Sequence, residues 1–139
     1  MNHAEKVDDS RDPELSKQGK RRAIALAETL KTSGIEYIHS TDYIRTKNTS
    51  EPTAKAYNLA IELYNPQDLD GFAKELKDSK GRHLVVGHSN TTPRLVELLG
   101  GEPGKPIVEK NEYDRLYIVT IQNDTLVNTV LMRYGKKFD

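Results

Sequence analysis

The residues most able to do chemistry lie where a short apolar run meets the start of a helix. In residues 83–90, a leucine and two valines follow His83 and predict a buried strand, which leads through Gly87 to His88. Pro93 follows two threonines and predicts a helix start, with Thr91 or Thr92 as its hydroxyl cap. The first N–H groups of a helix and the positive end of its dipole favour an oxyanion. We therefore expect His88 to lie beside a phosphate or similar anion.

A second corner of the same kind comes earlier in the chain. Residues 35–40 predict a strand, and Ser40-Thr41-Asp42 offers three caps for a helix over about 43–57. Arg45 falls in the first turn of that helix, where its guanidinium could bind a phosphate through two hydrogen bonds. In open α/β sheets ligands collect beyond the carboxyl ends of the strands, so Arg45 and His88 are expected at one edge.

Other chemistries fit the pattern less well. The run Gly87-His88-Ser89-Asn90-Thr91 is close to the Gly-x-Ser-x-Gly nucleophile elbow, in which Ser89 would be an acyl-transfer nucleophile with a histidine base. Thr91 stands where that motif has its second glycine, and the chain is short for that fold. No metal is predicted, because the four histidines are scattered and none pairs at helical spacing.

The remaining elements follow from periodicity. Ser16 is the expected N-cap of a first helix, with Leu15 as its hydrophobic staple and Gly34 at its end. The apolar positions expected on its buried face are Ala23, Ile24, Ala27 and Leu30. Residues 59–63 predict a further strand. The helix that follows spans Asp68 to Asp78, with Leu69, Phe72, Ala73 and Leu76 facing inward.

Two alternating runs close the chain. Residues 116–121 and 125–131 flank Gln122-Asn123-Asp124 and predict a β-hairpin. Strands that alternate with helices predict an α/β fold of three layers, α/β/α, with a mostly parallel mixed sheet. We expect one domain over residues 1–139.

Composition excludes several classes of partner. Lysine plus arginine and aspartate plus glutamate both number 21 in 139 residues, so no net field favours nucleic acid or an anionic membrane. There is no cysteine, and no apolar run approaches a membrane span. The first residues carry no signal-peptide pattern. The chain as given is expected to be soluble and cytoplasmic, or exported if a signal peptide precedes it; its oligomeric state is not indicated.

Several motifs in order resemble the histidine phosphatase superfamily, which has the phosphoglycerate-mutase-like fold. These are His3-Ala4-Glu5-Lys6, Leu15-Ser16, Ser40-Thr41-Asp42-Tyr43-Ile44-Arg45-Thr46, Gly87-His88-Ser89-Asn90-Thr91 and Glu112-Tyr113-Asp114-Arg115-Leu116. They extend over essentially the whole chain. The short length is most similar to that of the small members, including bacterial phosphohistidine phosphatases.

The resemblance implies a phosphoryl transfer in which His3 attacks phosphorus and carries the phosphoryl group until water takes it. Arg45 and His88 would bind the oxygens, with Asn2, Ser89 and Glu5 as further substrate contacts. No cofactor is implied. The partner would be a small phosphorylated substrate or a phosphoprotein.

Three departures from the family pattern carry expectations of their own. Asn2 stands where the family has an arginine, and losing such a donor can cost about 3 to 4 kcal/mol, so activity is expected to be lower than in relatives that keep the arginine. Only two residues precede His3, so the first central strand is expected to be missing, through truncation or because another segment fills its place. The proton donor is left open among Glu5, Asp8, Asp9 and Asp68.

These departures support an alternative function. A catalytically impaired relative would bind phosphorylated ligands or proteins without turning them over. Asn2 and the expected missing strand are the features that favour it.

Overall fold

The computed structural model describes residues 1–138 and has a parallel sheet of three short strands at its centre. These strands are β1 (Tyr37–Ser40), β2 (Ile61–Leu63) and β3 (His83–Val86), in the order β2-β1-β3. Each was predicted from its apolar run, although β2 is shorter than residues 59–63 because only its last three residues pair with β1. In the register of β1 with β3, Ser40 lies opposite Val86, so both strands end at the same level.

Helices cover both faces of this sheet, which confirms the three-layer α/β fold. The four helices of the described chain are α1 (Lys17–Leu30), α2 (Ile44–Tyr57), α3 (Leu69–Asp78) and α4 (Thr91–Leu98). On one face Leu26 of α1 and Ala54 of α2 pack against Ile38. On the other, Phe72 of α3 and Leu95 of α4 form a second cluster with Val85. Alternate residues of a strand point to opposite faces, which is why the two layers divide the strand residues between them.

Helix starts agree with the sequence in two cases out of four. Ser16 accepts a hydrogen bond from Gly19 N at 3.1 Å, and Asp68 caps α3 through Gly71 N. The predicted caps of α2 and α4 are wrong, since Tyr43 and Asn90 occupy those positions without a side-chain cap bond. The buried face of α1 was also misassigned at one position: Ile24 is 57% exposed, and Leu26 is fully buried.

The predicted hairpin is confirmed and forms a sheet of its own. Strands β4 (Arg115–Gln122) and β5 (Thr125–Arg133) are antiparallel, and Gln122 pairs with Thr125 across a two-residue turn. Both turn residues, Asn123 and Asp124, have positive φ, which matches the right-handed twist of the strands. In the described chain the hairpin is not hydrogen-bonded to the parallel sheet, so the expected single mixed sheet is divided into two.

The segment before His3 contributes an isolated bridge rather than a full strand. Asn2 pairs with Gly87 in parallel, and Gly87 N donates to Met1 O at 2.8 Å. Residues 1–3 therefore lie beside β3, on the side away from β1. None of the helices in residues 1–138 has the length and apolar character needed to cross a lipid bilayer.

Candidate functional site

Backbone pairing brings His3 and His88 together. Each histidine comes directly after one partner of the Asn2–Gly87 bridge, and His3 N donates to Gly87 O at 2.9 Å. The two ring centroids are 5.8 Å apart at an interplanar angle of 68°. Two histidines that are far apart in sequence thus lie side by side at the carboxyl end of β3.

One ring nitrogen of His3 is hydrogen-bonded, and the other has no partner among the described residues. His3 Nδ1 lies 2.7 Å from Ala4 O, and a carbonyl can only accept, so Nδ1 carries the hydrogen. The other nitrogen, Nε2, then holds a lone pair. Burial lowers the pKa of His3 to about 4. The charge of Arg45 also lowers this pKa, and the hydrogen bond to Ala4 acts to raise it. His3 is therefore a neutral imidazole near neutral pH, as a nucleophile requires.

The backbone after His3 is fixed to the first two helices. Ala4 N donates to Thr49 Oγ1 at 2.9 Å, and that hydroxyl donates to Arg45 O at 2.7 Å. Ser16 N donates to Glu5 O at 2.9 Å. Both ends of the segment that carries the His3 ring are thus held by hydrogen bonds.

His88 is held by β1 and by the start of α2. Its Nε2 lies 2.9 Å from Thr41 Oγ1, and its ring meets Tyr43 edge-on with centroids 5.1 Å apart. Burial lowers the pKa of His88 to about 4, with smaller contributions from Arg45 and His3. Gly87, just before it, has no room for a side chain, because a Cβ there would overlap Tyr64 Oη.

Arg45 supplies positive charge close to both rings. Its guanidinium stacks over the Tyr43 ring with Cζ 4.6 Å from the centroid, and Nη1 makes a 3.3 Å hydrogen bond to Arg11 O. Asp12 lies 3.9 Å from Nη1. The buried Nε has no hydrogen-bond partner in the described part of the chain. These contacts are few and long for an arginine, so the guanidinium has donors available for a ligand.

The other predicted contacts are placed differently. Asn2 is 1% exposed; its Nδ2 donates to Glu112 O at 3.1 Å, and its buried Oδ1 has no partner among residues 1–138. Ser89 is half-buried in the turn directly after His88. The structure does not bring Glu5 to the site as a free group, because its carboxylate pairs with Arg22 at 2.9 Å. Because Arg22 lies seventeen residues from Glu5 in sequence, no local motif predicted this ion pair.

The candidate proton donors do not gather here either. Asp8 accepts from Ser10, the side chain of Asp9 is 99% exposed, and Asp68 caps α3. The carboxylate of Glu109, which sequence reasoning missed, acts to raise the pKa of both His3 and His88. It lies in the loop before β4, where no periodic pattern marks it.

Further neighbours were also missed. Lys6 lowers the pKa of both histidines and pairs with Glu109 at 3.4 Å. The ring of Tyr113 lies 6.2 Å from that of His3. Thr41 was predicted as a possible helix cap and instead contacts His88. Within residues 1–138 no group of three or more histidine or carboxylate side chains is arranged to hold a metal ion.

One family model matches just under half of the chain. Residues 1–66 match the model of the histidine phosphatase superfamily, branch 1. That range contains His3 and Arg45, two of the predicted site residues. The resemblance inferred from the sequence is thereby confirmed. A search of curated protein sequences found no match.

Solved structures match over the whole length. The protein histidine phosphatase SixA, complexed with tungstate, superposes with a TM-score of 0.75 at 18% identity, covering 96% of this chain and 92% of that one. A putative alpha-ribazole-5'-P phosphatase from Escherichia coli gives 0.73 at 11% identity, with coverages of 98% and 94%. Mycobacterial glucosyl-3-phosphoglycerate phosphatase with inorganic phosphate gives 0.69 at 14%, with coverages of 97% and 94%. At these identities the likeness establishes the fold.

Proposed function

We propose that this chain, which has the histidine phosphatase fold and matches the superfamily model over residues 1–66, is a metal-independent phosphatase with His3 as nucleophile. Its substrates would be phosphomonoesters or phosphoramidates, small or carried on a protein. The superfamily match and the three phosphatases of the same fold support phosphate chemistry in general. The finer assignment depends on the site itself.

One observation carries the proposal. His3 is a buried neutral imidazole whose Nδ1 is fixed by Ala4 O, and its unengaged Nε2 lies on a ring 5.8 Å from that of His88. A nucleophile with one protonated and one free nitrogen, next to a cationic Arg45, suits attack on an anionic phosphoryl group.

The reaction divides into two displacements. In the first, His3 Nε2 forms a bond to phosphorus as the bond from phosphorus to the leaving group breaks, and the leaving atom takes a proton from solvent. In the second, water attacks phosphorus, the N–P bond breaks, and phosphate is released while the water gives up a proton. Arg45 and His88 would stabilise the oxygens on which negative charge accumulates.

The choice of leaving group follows from the carboxylates. Glu5, Asp8, Asp9 and Asp68 are all engaged elsewhere or exposed, so no strong general acid is evident among them. A weakly basic leaving group needs such an acid least, and the imidazole of phosphohistidine is one once solvent has protonated its other ring nitrogen. This favours phosphoramidates and acyl phosphates over alkyl phosphates.

A steady-state assay tests the proposal. We expect turnover of p-nitrophenyl phosphate or of a phosphohistidine peptide by the wild type, undiminished by a chelator, and its loss in His3→Ala. Quench with denaturant at alkaline pH, where the N–P bond is stable, should trap phosphate on His3 in the wild type alone. Turnover that survives in His3→Ala would overturn the nucleophile and the two-step mechanism together.

The alternative of a binding protein without turnover also has an observation in its favour. Asn2 is buried, uncharged and bonded to Glu112 O, so it brings no cation to the phosphate. Binding of inorganic phosphate without measurable turnover in the wild type, and turnover in Asn2→Arg, would support this reading.

A further inference from the structure

Thr46, Thr41 and His88 are linked by hydrogen bonds whose direction can be worked out. Thr46 Oγ1 lies 3.0 Å from two carbonyl oxygens, Thr41 O and Tyr43 O, which can only accept, so its hydrogen points to them. With that hydrogen used, Thr46 Oγ1 accepts from Thr41 Oγ1 at 2.9 Å. The hydroxyl hydrogen of Thr41 is therefore used in this bond, and its oxygen can only accept from another group.

The tautomer of His88 follows from this direction. Thr41 Oγ1 is 2.9 Å from His88 Nε2 and has no hydrogen left to give, so the ring nitrogen must be the donor. The opposite arrangement would place the Thr46 oxygen 3.0 Å from two carbonyl oxygens with no hydrogen between them. His88 is thus held as the Nε2–H form, and its Nδ1 has no partner among the described residues.

The neutral site consequently presents two lone pairs to a ligand. His3 Nδ1 carries a hydrogen because it donates to Ala4 O, which leaves Nε2 as an acceptor. In His88 the pattern is reversed, and Nδ1 is the acceptor. A phosphoryl group that carries two negative charges also offers only acceptors, so it cannot be hydrogen-bonded by either ring as they stand.

We propose that an oxyanion binds this site together with one proton, which moves from solvent to His88 Nδ1. Thr41 and Thr46 are the positioning residues, because they keep Nε2 protonated and leave Nδ1 as the atom that takes the added proton. His88 then becomes a cation that donates from Nδ1 to the anion and from Nε2 to Thr41. The proposal deepens the proposed function, on which it rests, by specifying the protonation state in which phosphate is bound.

The charged and titratable groups around His88 favour proton uptake by its ring only when an anion is bound. Those that face it are His3 from the first segment, Lys6 from the loop after it, Tyr43 and Arg45 from the start of α2, and Glu109 from the loop before β4. Burial and the cations keep the pKa of the empty site's His88 at about 4. A bound dianion reverses the local balance of charge, since an opposite charge within a few ångströms favours the protonated ring.

The first arm of the test needs no activity. Nitrogen NMR of the histidine rings in the ligand-free protein near neutral pH should show His88 as the neutral Nε2–H tautomer and His3 as the neutral Nδ1–H tautomer. On addition of tungstate, a tetrahedral dianion that carries no proton at this pH, the Nδ1 resonance of His88 should shift to the value of an imidazolium. The His3 ring should remain neutral.

The second arm counts protons. Calorimetric titration with tungstate in buffers of different ionisation enthalpy should show uptake close to one proton, and the dissociation constant should rise about tenfold per pH unit above neutrality. Thr41→Val, nearly isosteric, removes the acceptor for His88 and should weaken tungstate binding about tenfold or more. Thr41→Ser keeps the hydroxyl and should retain both the tautomer and the uptake.

The outcomes separate this proposal from the proposed function. Tungstate binding without proton uptake, uptake located on His3, or a ligand-free His88 in the Nδ1–H form would each overturn the proton proposal and leave the phosphatase untouched. A wild type that binds neither tungstate nor inorganic phosphate would overturn both. If Thr41→Val fails to fold, the wild type and Thr41→Ser still decide the question through the NMR and calorimetric measurements.

Discussion

Asn2 Nδ2 donates a 3.1 Å hydrogen bond to the backbone oxygen of Glu112, which joins the residue before His3 to a buried cluster of charges. Glu112 itself pairs with Arg115 at 2.7 Å and with Arg133 at 2.8 Å. Burial acts to raise the pKa of Glu112, but hydrogen bonds from these two arginines lower it to about 2. Asn2 is thus anchored on the side of the hairpin through its amide nitrogen.

The first prediction concerns that residue. Asn2→Arg should raise kcat/KM for p-nitrophenyl phosphate roughly 100- to 1,000-fold, because a guanidinium adds a charged donor to the phosphoryl group. Asn2→Gln is the matched control, with an amide and no charge, and should give no gain. Equal activity in the two variants would show that charge at this position is not what limits turnover.

The second prediction concerns the ring between Arg45 and His88. Tyr43→Leu removes the face under the Arg45 guanidinium, a contact worth about 0.5 to 1 kcal/mol, so KM should rise about two- to fivefold. Tyr43→Phe keeps the ring and should bind substrate nearly as the wild type does. The measurement is steady-state kinetics, and a rise in KM for Tyr43→Phe as large as that for Tyr43→Leu would indicate that the phenol hydroxyl acts instead of the ring.

The third prediction concerns the link between α2 and the segment that carries His3. Thr49→Val leaves the buried Ala4 N–H without an acceptor and should lower the free energy of unfolding by about 1 to 3 kcal/mol. Thr49→Ser retains the oxygen and should lose less. Urea denaturation measures the difference. Equal stabilities for the two variants would mean that the hydroxyl is not the group that holds Ala4.

The fourth prediction concerns stability and pH. His3 and His88 have pKa values of about 4 in the folded protein, below the 6.5 of an exposed histidine. The unfolded chain therefore takes up protons first, and the contribution of these two histidines to stability, constant above about pH 6.5, should fall as pH decreases toward 4. The Met1 amine, whose pKa burial lowers from 8.0 to about 5, adds a loss of stability that begins near pH 8. The slope is about 1.4 kcal/mol per pH unit for each histidine that titrates only when unfolded.

A matched variant isolates one histidine in that profile. The pKa of His39 is also lowered, by burial and by His83, so the wild-type slope includes a third ring. His3→Gln should reduce the slope between pH 6.5 and 4 by the contribution of one group. Chemical denaturation at several pH values gives the comparison, and an unchanged slope would show that His3 is not a neutral buried ring.

Sequence reasoning predicted the site best where a strand leads into a helix. His88 and Arg45 were placed at one edge because parallel strands end at the same level, and the structure places them so. Hydroxyl groups were harder to assign. Thr41 was predicted as a possible cap of α2 but contacts His88, since a threonine next to a turn can bond any nearby group and its sequence does not specify which.

Long-range pairing explains the other differences. Glu5 was expected at the substrate because it follows His3 closely, yet its carboxylate is bound by Arg22 from α1. Ile24 was assigned to the buried face of α1 from spacing alone, although the helix turns Leu26 inward instead. Such choices depend on how α1 packs against its neighbours, which no local pattern encodes.

The bridge between Asn2 and Gly87 means that main-chain pairing sets the distance between the His3 and His88 rings. A displacement of residues 1–3 along β3 by a single position would turn the His3 ring to the opposite side of the sheet. The relative placement of the two rings thus depends on two backbone hydrogen bonds, donated by the amides of His3 and Gly87. Slow exchange of these two amides with solvent deuterium would show that the two segments are paired, and this measurement needs no substrate.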